Sequence, residues 1–167
     1  MCGFDAARKL AILSSIGFRA NVTFDDVLVE GIEKIDKSDI QYAKEMGYTI
    51  KLLTVALRQE DGIALNVYPA FLPDNHPLSS VKGSYNAIYV TGNIVDDVMF
   101  YGRGAGALPT ASAVMGDVIS TAQHILNGST GTGMIMTDTK RIPFYSSLKL
   151  QNSYYFRLDV DDVTGVL

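Results

Sequence analysis

Cysteine is almost missing from this chain of 167 residues: Cys2 is the only one. An intramolecular disulfide is therefore impossible, and a cytoplasmic setting is favoured over an oxidising one. No apolar run reaches the roughly 18–20 residues that a membrane span needs. Asp5, Arg8 and Lys9 interrupt the first apolar stretch where a secretory leader would place its hydrophobic segment, so no signal peptide is expected. Charge is scarce, at 19% of residues, and leans acidic, with 14 Lys and Arg against 18 Asp and Glu. That balance argues against a basic nucleic-acid surface and against a cationic membrane patch. No cluster of Cys, His and acid has zinc spacing, so no metal is expected. Internal repeats and low-complexity segments are absent as well.

What is present is a globular composition, 47% hydrophobic, in a length that fits one domain or one and a part. Such a chain can bury about two-thirds of its unfolded surface. Ala6, Ala7, Leu10, Leu13 and Ile16 follow helical spacing and Gly17 ends the run, which predicts a first helix. The period predicts a second over 25–35, with Val27, Leu28, Ile32 and Ile35 on one face. A third is predicted over 37–47, capped by Ser38 or Asp39 and closed by Gly47. Residues 48–58 and 63–71 are rich in β-formers and flank Glu60-Asp61-Gly62, which predicts a hairpin. Pro69 and Pro73 are expected to end its pairing. Residues 84–91 and 94–101 predict a second strand pair around Gly92-Asn93. A glycine loop over 102–108 leads to Pro109, which is expected at the first position of a helix that stops at Asn127-Gly128. Residues 128–134 read as loop, and a strand is predicted over 153–160. Successive hairpins with helices imply an α+β domain, its sheet largely antiparallel with helices packed on one face.

Two groupings of residues carry chemistry. Asp5 and Lys9 stand one helical turn apart, so carboxylate and ammonium can meet. By spacing alone this is either an ordinary surface pair or half of a proton-transfer site, since a buried lysine beside an acid can exchange protons with a hydroxyl or carbonyl. Gly102, Gly104 and Gly106 follow a strand and precede a helix, where bare backbone and unpaired N–H groups can meet an anion or an amide. Their spacing, G-x-G-x-G, departs from the dinucleotide fingerprint G-x-G-x-x-G, so this is not a primary phosphate-binding turn. The bland alternative is tight strand-to-helix packing. His76, in a proline-flanked turn, reads as structural or exposed, and His124 lies near a helix C-terminus. The serine pairs lack a nucleophile-elbow context, and the tyrosines at 42, 48, 85, 89 and 101 read as packing residues.

Gly3-Phe4-Asp5-Ala6-Ala7-Arg8-Lys9-Leu10 resembles the substrate-domain helix of homoserine dehydrogenases. Tyr101-Gly102-Arg103-Gly104-Ala105-Gly106, running into residues 109–114 and Gly116-Asp117, is similar to that family's late glycine motif, and residues 86–92 fit between the two. Residues 154–162 with Gly165-Val166-Leu167 resemble the first strand and turn of an ACT regulatory domain, with Thr164 where a proline is usual. The resemblance implies NAD- or NADP-linked interconversion of L-homoserine and L-aspartate 4-semialdehyde, in threonine and methionine biosynthesis. It implies Lys9 as the general acid/base, Asp5 and Lys9 at the substrate, and Gly104, Gly106 and Thr110 at the cofactor. It also implies a homodimer formed through the sheet. The segments expected are a substrate-binding and dimerisation domain over 1–101, a return to the nucleotide-binding domain over 102–145, and the start of an ACT domain over 150–167. The family's nucleotide-binding turn, and a further lysine and carboxylates that precede this helix in the family, are not among these residues. A central fragment, inactive alone, is therefore expected. The rival readings are a non-catalytic amino-acid-binding and dimerisation module, and a different NAD(P)-linked oxidoreductase.

Overall fold

The computed structural model describes residues 2–129, 142–145 and 150–161. The elements are α1 (Phe4–Phe18), β1 (Leu28–Val29), α2 (Lys37–Glu45), β2 (Tyr48–Gln59), β3 (Gly62–Pro73), β4 (Tyr85–Gly92), β5 (Asp96–Arg103) and α3 (Ala107–Leu126), with single 3₁₀ turns at Phe24–Asp26 and Pro77–Ser80. They fall into two compact units, Met1–Phe71 with Asp138–Leu167, and Leu72–Thr137.

The first unit is organised by β3. Its residues 62–67 are all buried, as befits a strand with neighbours on both sides. The sheet order is β1-β3-β2. β2 and β3 are joined by two residues, a connection that only antiparallel strands can use. β1 pairs with β3 in parallel, Leu28 opposite Asn66 and Val29 opposite Val67. α1 buries Ala7, Leu10, Ala11 and Ser14, one stripe at helical spacing. The first three join Ile63, Leu65 and Val67, alternate residues on one face of β3, in the core. Each large aliphatic side chain withdrawn there from water contributes about 1.5–3 kcal/mol.

The α+β class and the hairpins stand as expected, with the β1–β3 pair as a parallel addition. Four details differ. The helix predicted over 25–35 is not formed. Asp26 accepts from the Thr23 backbone N–H and hydroxyl, each at 2.7 Å, but this capping box starts a single turn only. Leu28 and Val29 then pair with β3, a tertiary contact that overrides the helical period and suits β-branched Val29. The cap of α2 is Asp36, not Ser38 or Asp39; its carboxylate accepts from the N–H groups of Ser38 at 2.7 Å and Asp39 at 3.1 Å. Pro69 does not end β3. Ile63 and Val67 direct their backbone bonds away from β2, toward Pro143 and Tyr145 and toward Glu30, so Pro69 directs its missing N–H to that same side, past the end of β1. Finally, residues 150–161 contain no regular strand among the described residues.

That last segment is held by its side chains instead. Tyr155 stacks on Phe71 with ring centroids 4.7 Å apart, and its hydroxyl lies 3.4 Å from Asp39 Oδ1. The Arg157 guanidinium donates to both carboxylate oxygens of Asp36, at 2.8 and 2.5 Å, and lies 3.0 Å from Asp39 Oδ1. A strand is held by its ladder, and here side-chain contacts to the N-terminus of α2 take that place.

In the second unit, β4 and β5 form an antiparallel pair in which Tyr85 faces Arg103 and Gly92 faces Asp96, leaving a three-residue turn at 93–95. The residues of even number on this hairpin present one face, where Ile88 lies opposite Phe100 and Val90 opposite Val98, all exposed. On the other face Tyr85 and Tyr101 stack in parallel at 4.9 Å.

Arg157 holds the Asp36 carboxyl below its ordinary value of 3.8, assisted by the Asp39 backbone N–H and opposed by desolvation. The clasp is therefore complete above pH 3.8 and is lost as pH falls through the lower, folded value. NMR contacts between the Tyr155 and Phe71 rings should persist through the neutral range and fade only in that acid window. They should weaken with salt at neutral pH, because the pair is about half exposed. In Arg157→Ala they should be weak at neutral pH, and a full-strength contact there would contradict the clasp.

Candidate functional site

On α1 the buried stripe fixes what points outward. Lys9 and Asp5 lie off that stripe, with Lys9 Nζ 2.8 Å from Asp5 Oδ2 and the two side chains 62% and 83% exposed. Asp5 also sits in the first turn, where a carboxylate opposes the helix dipole. Residues three, four and seven positions beyond Lys9 are Ile12, Leu13 and Ile16, and all are exposed. Leu13 and Ile16 therefore leave the inward face that helical spacing had given them. They form an uncovered apolar strip leading away from the ammonium. Arg8 lies over the Phe24 ring at 5.1 Å, and Phe24 meets Phe4 edge-on.

The glycine loop lies in the second unit, between β5 and α3. Gly106 is the residue before the helix, with φ 128° and ψ 150°. Only glycine adopts that region readily. A Cβ there would also sit 3.2 Å from Pro109 Cδ. The helix begins at Ala107, two residues before the predicted start, so Pro109 is its third residue. The substitution of position is harmless, because the first four N–H groups of a helix have no partner within it. No side chain caps this end, and the Thr110 N–H donates to the Gly106 carbonyl at 3.0 Å. Gly104 lies outside the left-handed region, and what stands beside it is the flexible, exposed amide of Asn86, which can swing aside. A Cβ there would lie 1.7 Å from Asn86 Nδ2.

Of the residues singled out by sequence, Asp5 and Lys9 are brought into contact, and Gly104, Gly106 and Thr110 gather at one strand-to-helix turn. His76 is structural, its Nδ1 accepting from the Leu78 N–H at 3.1 Å. Tyr89 does more than pack. Its hydroxyl and that of Thr91 bond Asp97, which holds the Asp97 carboxyl below its usual range and raises the Tyr89 phenol. The Asp36–Arg157 contact was not foreseen, although the sequence Asp36-Lys37-Ser38-Asp39 is itself a capping-box signal. Neither was the Asn86 side chain, which no local pattern ties to Gly104.

This fold matches solved structures over most of the described chain. A homoserine dehydrogenase from Thiobacillus denitrificans superposes with a TM-score of 0.80 at 36% identity, covering 86% of this chain and 34% of that one. The Staphylococcus aureus homoserine dehydrogenase at pH 7.5 gives a TM-score of 0.69 at 38% identity, covering 80% of this chain and 33% of that one. The family model for homoserine dehydrogenase matches residues 1–119, and the chain belongs to that family. Among curated relatives, the homoserine dehydrogenase of Bacillus subtilis is 40% identical over 98% of this chain, and that of a Synechocystis species 49% identical over 99%. The chain spans 37% and 40% of the lengths of those two proteins.

Replacing Gly106 by alanine forces a side chain into a backbone region that costs about 1–3 kcal/mol. The expected result is faster amide exchange at Thr110 and the following turn of α3, with exchange in α1 unchanged. Undiminished protection at Thr110 would show that the turn does not need glycine.

Proposed function

We propose that this chain is the substrate-binding part of a homoserine dehydrogenase, interconverting L-homoserine and L-aspartate 4-semialdehyde on the route to threonine and methionine. The observation that carries the reading is the Lys9–Asp5 pair, set at 2.8 Å on the outward side of a helix whose position the core dictates. The family match gives that pair its context.

In this reading Lys9 is the general acid/base. Oxidation of homoserine removes a proton from the hydroxyl oxygen, and the Lys9 amine takes it; in the reverse direction the ammonium returns it. Asp5 holds the Lys9 side chain in place and offers a carboxylate to the bound amino acid's ammonium group. Covering the strip of Ile12, Leu13 and Ile16 would withdraw Lys9 from water. The nicotinamide cofactor, NAD or NADP, supplies the hydride-accepting ring when bound. Gly104, Gly106 and Thr110 fit its carboxamide end, since Gly106 presents bare backbone and the uncapped start of α3 presents N–H donors.

The segmentation follows the same reading. Residues 1–101 bind substrate and dimerise, residues 102–145 return to a nucleotide-binding domain lying outside these 167 residues, and residues 150–167 open an ACT domain. The exposed apolar face of β4 and β5, with Ile88, Val90, Val98 and Phe100, supports a homodimer through the sheet. No helix among the described residues is long and apolar enough to cross a membrane, and a cytoplasmic enzyme is the setting proposed.

In the complete enzyme, Lys9→Ala should lower kcat for homoserine oxidation by about 10²–10⁴-fold while leaving cofactor binding intact. A fall of less than about threefold would remove Lys9 from the chemistry. The 167 residues alone should oxidise homoserine with NADP no faster than buffer. Turnover by that piece would refute its dependence on a separate nucleotide-binding domain.

A further inference from the structure

Arg157 meets α2 where two carboxylates share one turn. Asp36 and Asp39 form a reciprocal capping box. The Asp36 carboxylate accepts from the Asp39 N–H at 3.1 Å, and the Asp39 carboxylate accepts from the Asp36 N–H at 3.0 Å. Asp39 is buried, so its charge needs a partner. One guanidinium answers both acids, with two bonds to Asp36 and a 3.0 Å ion pair with Asp39. Without it, two negative groups would face each other across the box that fixes the Asp36 backbone.

Asp36 also ends a short connector from the substrate helix. At the near end, the Glu30 N–H donates to the Val67 carbonyl at 2.7 Å. Further along, the Ile35 N–H donates to the Ile32 carbonyl at 3.2 Å. The near end packs against the start of α1. Gly3, the residue before that helix, has a φ of 79°. A Cβ at Gly3 would lie 3.0 Å from Val29 Cγ1 and 3.1 Å from Val67 Cγ1, and one at Gly31 would lie 3.2 Å from the Cα of Cys2. Asp5 follows Gly3 by two residues, in the first turn, and Lys9 stands one turn later. The stretch that begins against residues 2–3 therefore ends on the carboxylate that Arg157 clasps.

We propose that Arg157 is a positioning residue for the substrate pair: by neutralising the Asp36–Asp39 capping box it fixes the connector of residues 31–35, whose near end sets the start of α1 and so the place of Asp5. The inference rests on the proposed role of Asp5 toward the ammonium group of the bound amino acid. Arg157 acts through the box, so its loss loosens the Asp36 backbone first and the first turn of α1 second. A displacement of about 1 Å at a group that holds a substrate costs far more than the remote contact that caused it.

The test uses the complete enzyme and reads the KM for homoserine, kcat and the cofactor Kd, with amide exchange at the bonded Glu30 and Ile35 N–H groups. Arg157→Ala should raise the homoserine KM about fivefold, keep kcat within about threefold and leave the cofactor Kd unchanged. Exchange at Glu30 and Ile35 should quicken. Asp36→Asn alone should stay within about twofold of the parent, because asparagine caps a helix as well as aspartate does. Added to Arg157→Ala, it should bring KM back to within about twofold of the parent, since the repulsion across the box is gone. In an Asp5→Asn enzyme, Arg157→Ala should add less than about twofold, because its route to the substrate is already cut. An unchanged KM in Arg157→Ala, a double variant as impaired as Arg157→Ala, or multiplying effects of the Asp5 and Arg157 changes would each overturn the proposal. If Arg157→Ala does not fold, Arg157→Lys, which keeps the charge and loses the paired donors, should show a smaller rise in KM, and no rise there would overturn the proposal as well. A parent enzyme that does not oxidise homoserine would instead refute the assigned function, while exchange at Glu30 and Ile35 would still decide whether Arg157 holds the connector.

Discussion

The burial of Ile63, Leu65 and Val67 of β3 beneath Ala7, Leu10 and Ala11 of α1 is the contact on which the candidate site depends. A helix docked along one stripe has no freedom left to choose its outer face. Once those three residues are inside, Asp5 and Lys9 must point out, one turn apart, whatever the rest of the unit does. The exposed pair by itself adds little stability. Its geometry is a consequence of the core, and the core is where the stabilisation lies. The strand beneath is equally constrained, since its backbone is bonded to Glu30 on one stretch and to Pro143 and Tyr145 on another.

The glycine loop obeys a second constraint, of backbone and not of burial. Gly106 solves a conformational problem, because its φ of 128° must join a strand to a helix within three residues. Gly104 faces no comparable demand, since it lies outside the left-handed region and only the movable amide of Asn86 stands beside it. Two glycines of one motif thus differ in how firmly the structure requires them. Such a loop is costly unless something uses the bare backbone it exposes, and an uncapped helix N-terminus directly after it provides the donors that a ligand amide can use.

Legibility in the sequence followed the range of the interactions concerned. The Asp5–Lys9 pair and the turn into α3 were visible because each is decided within a few residues. The hairpins were visible for the same reason, through their turn residues and β-formers. Residues 25–35 misled because their apolar spacing suits a helix, while the pairing of Leu28 and Val29 with Asn66 and Val67 requires a partner no local window contains. Pro69 misled because a proline's effect depends on which side of the strand it faces, and that is known only once β1 is placed. The Arg157 clasp spans 121 residues of sequence, and nothing near Asp36 announces it.

The pattern of exposure bears on the proposed division of labour. α3 is a 20-residue helix with no buried residue, yet Val114, Met115, Val118, Ile119 and Ile125 lie along it in the open. Helices in water draw most of their stability from packing an apolar face, so a sequence this apolar is written for a partner. The same holds for Ile12, Leu13 and Ile16 beside Lys9, and for Ile88, Val90, Val98 and Phe100 on the hairpin. Single exposed apolar residues need no explanation, but three separate stripes on regular elements do. The proposed function would supply one: in that reading the surfaces that cover these stripes belong to a nucleotide-binding domain and to a second copy. On that account the exposure of Lys9 in this unit is the surface on which an active site is completed, and the apolar strip beside it marks where water would be excluded when it is.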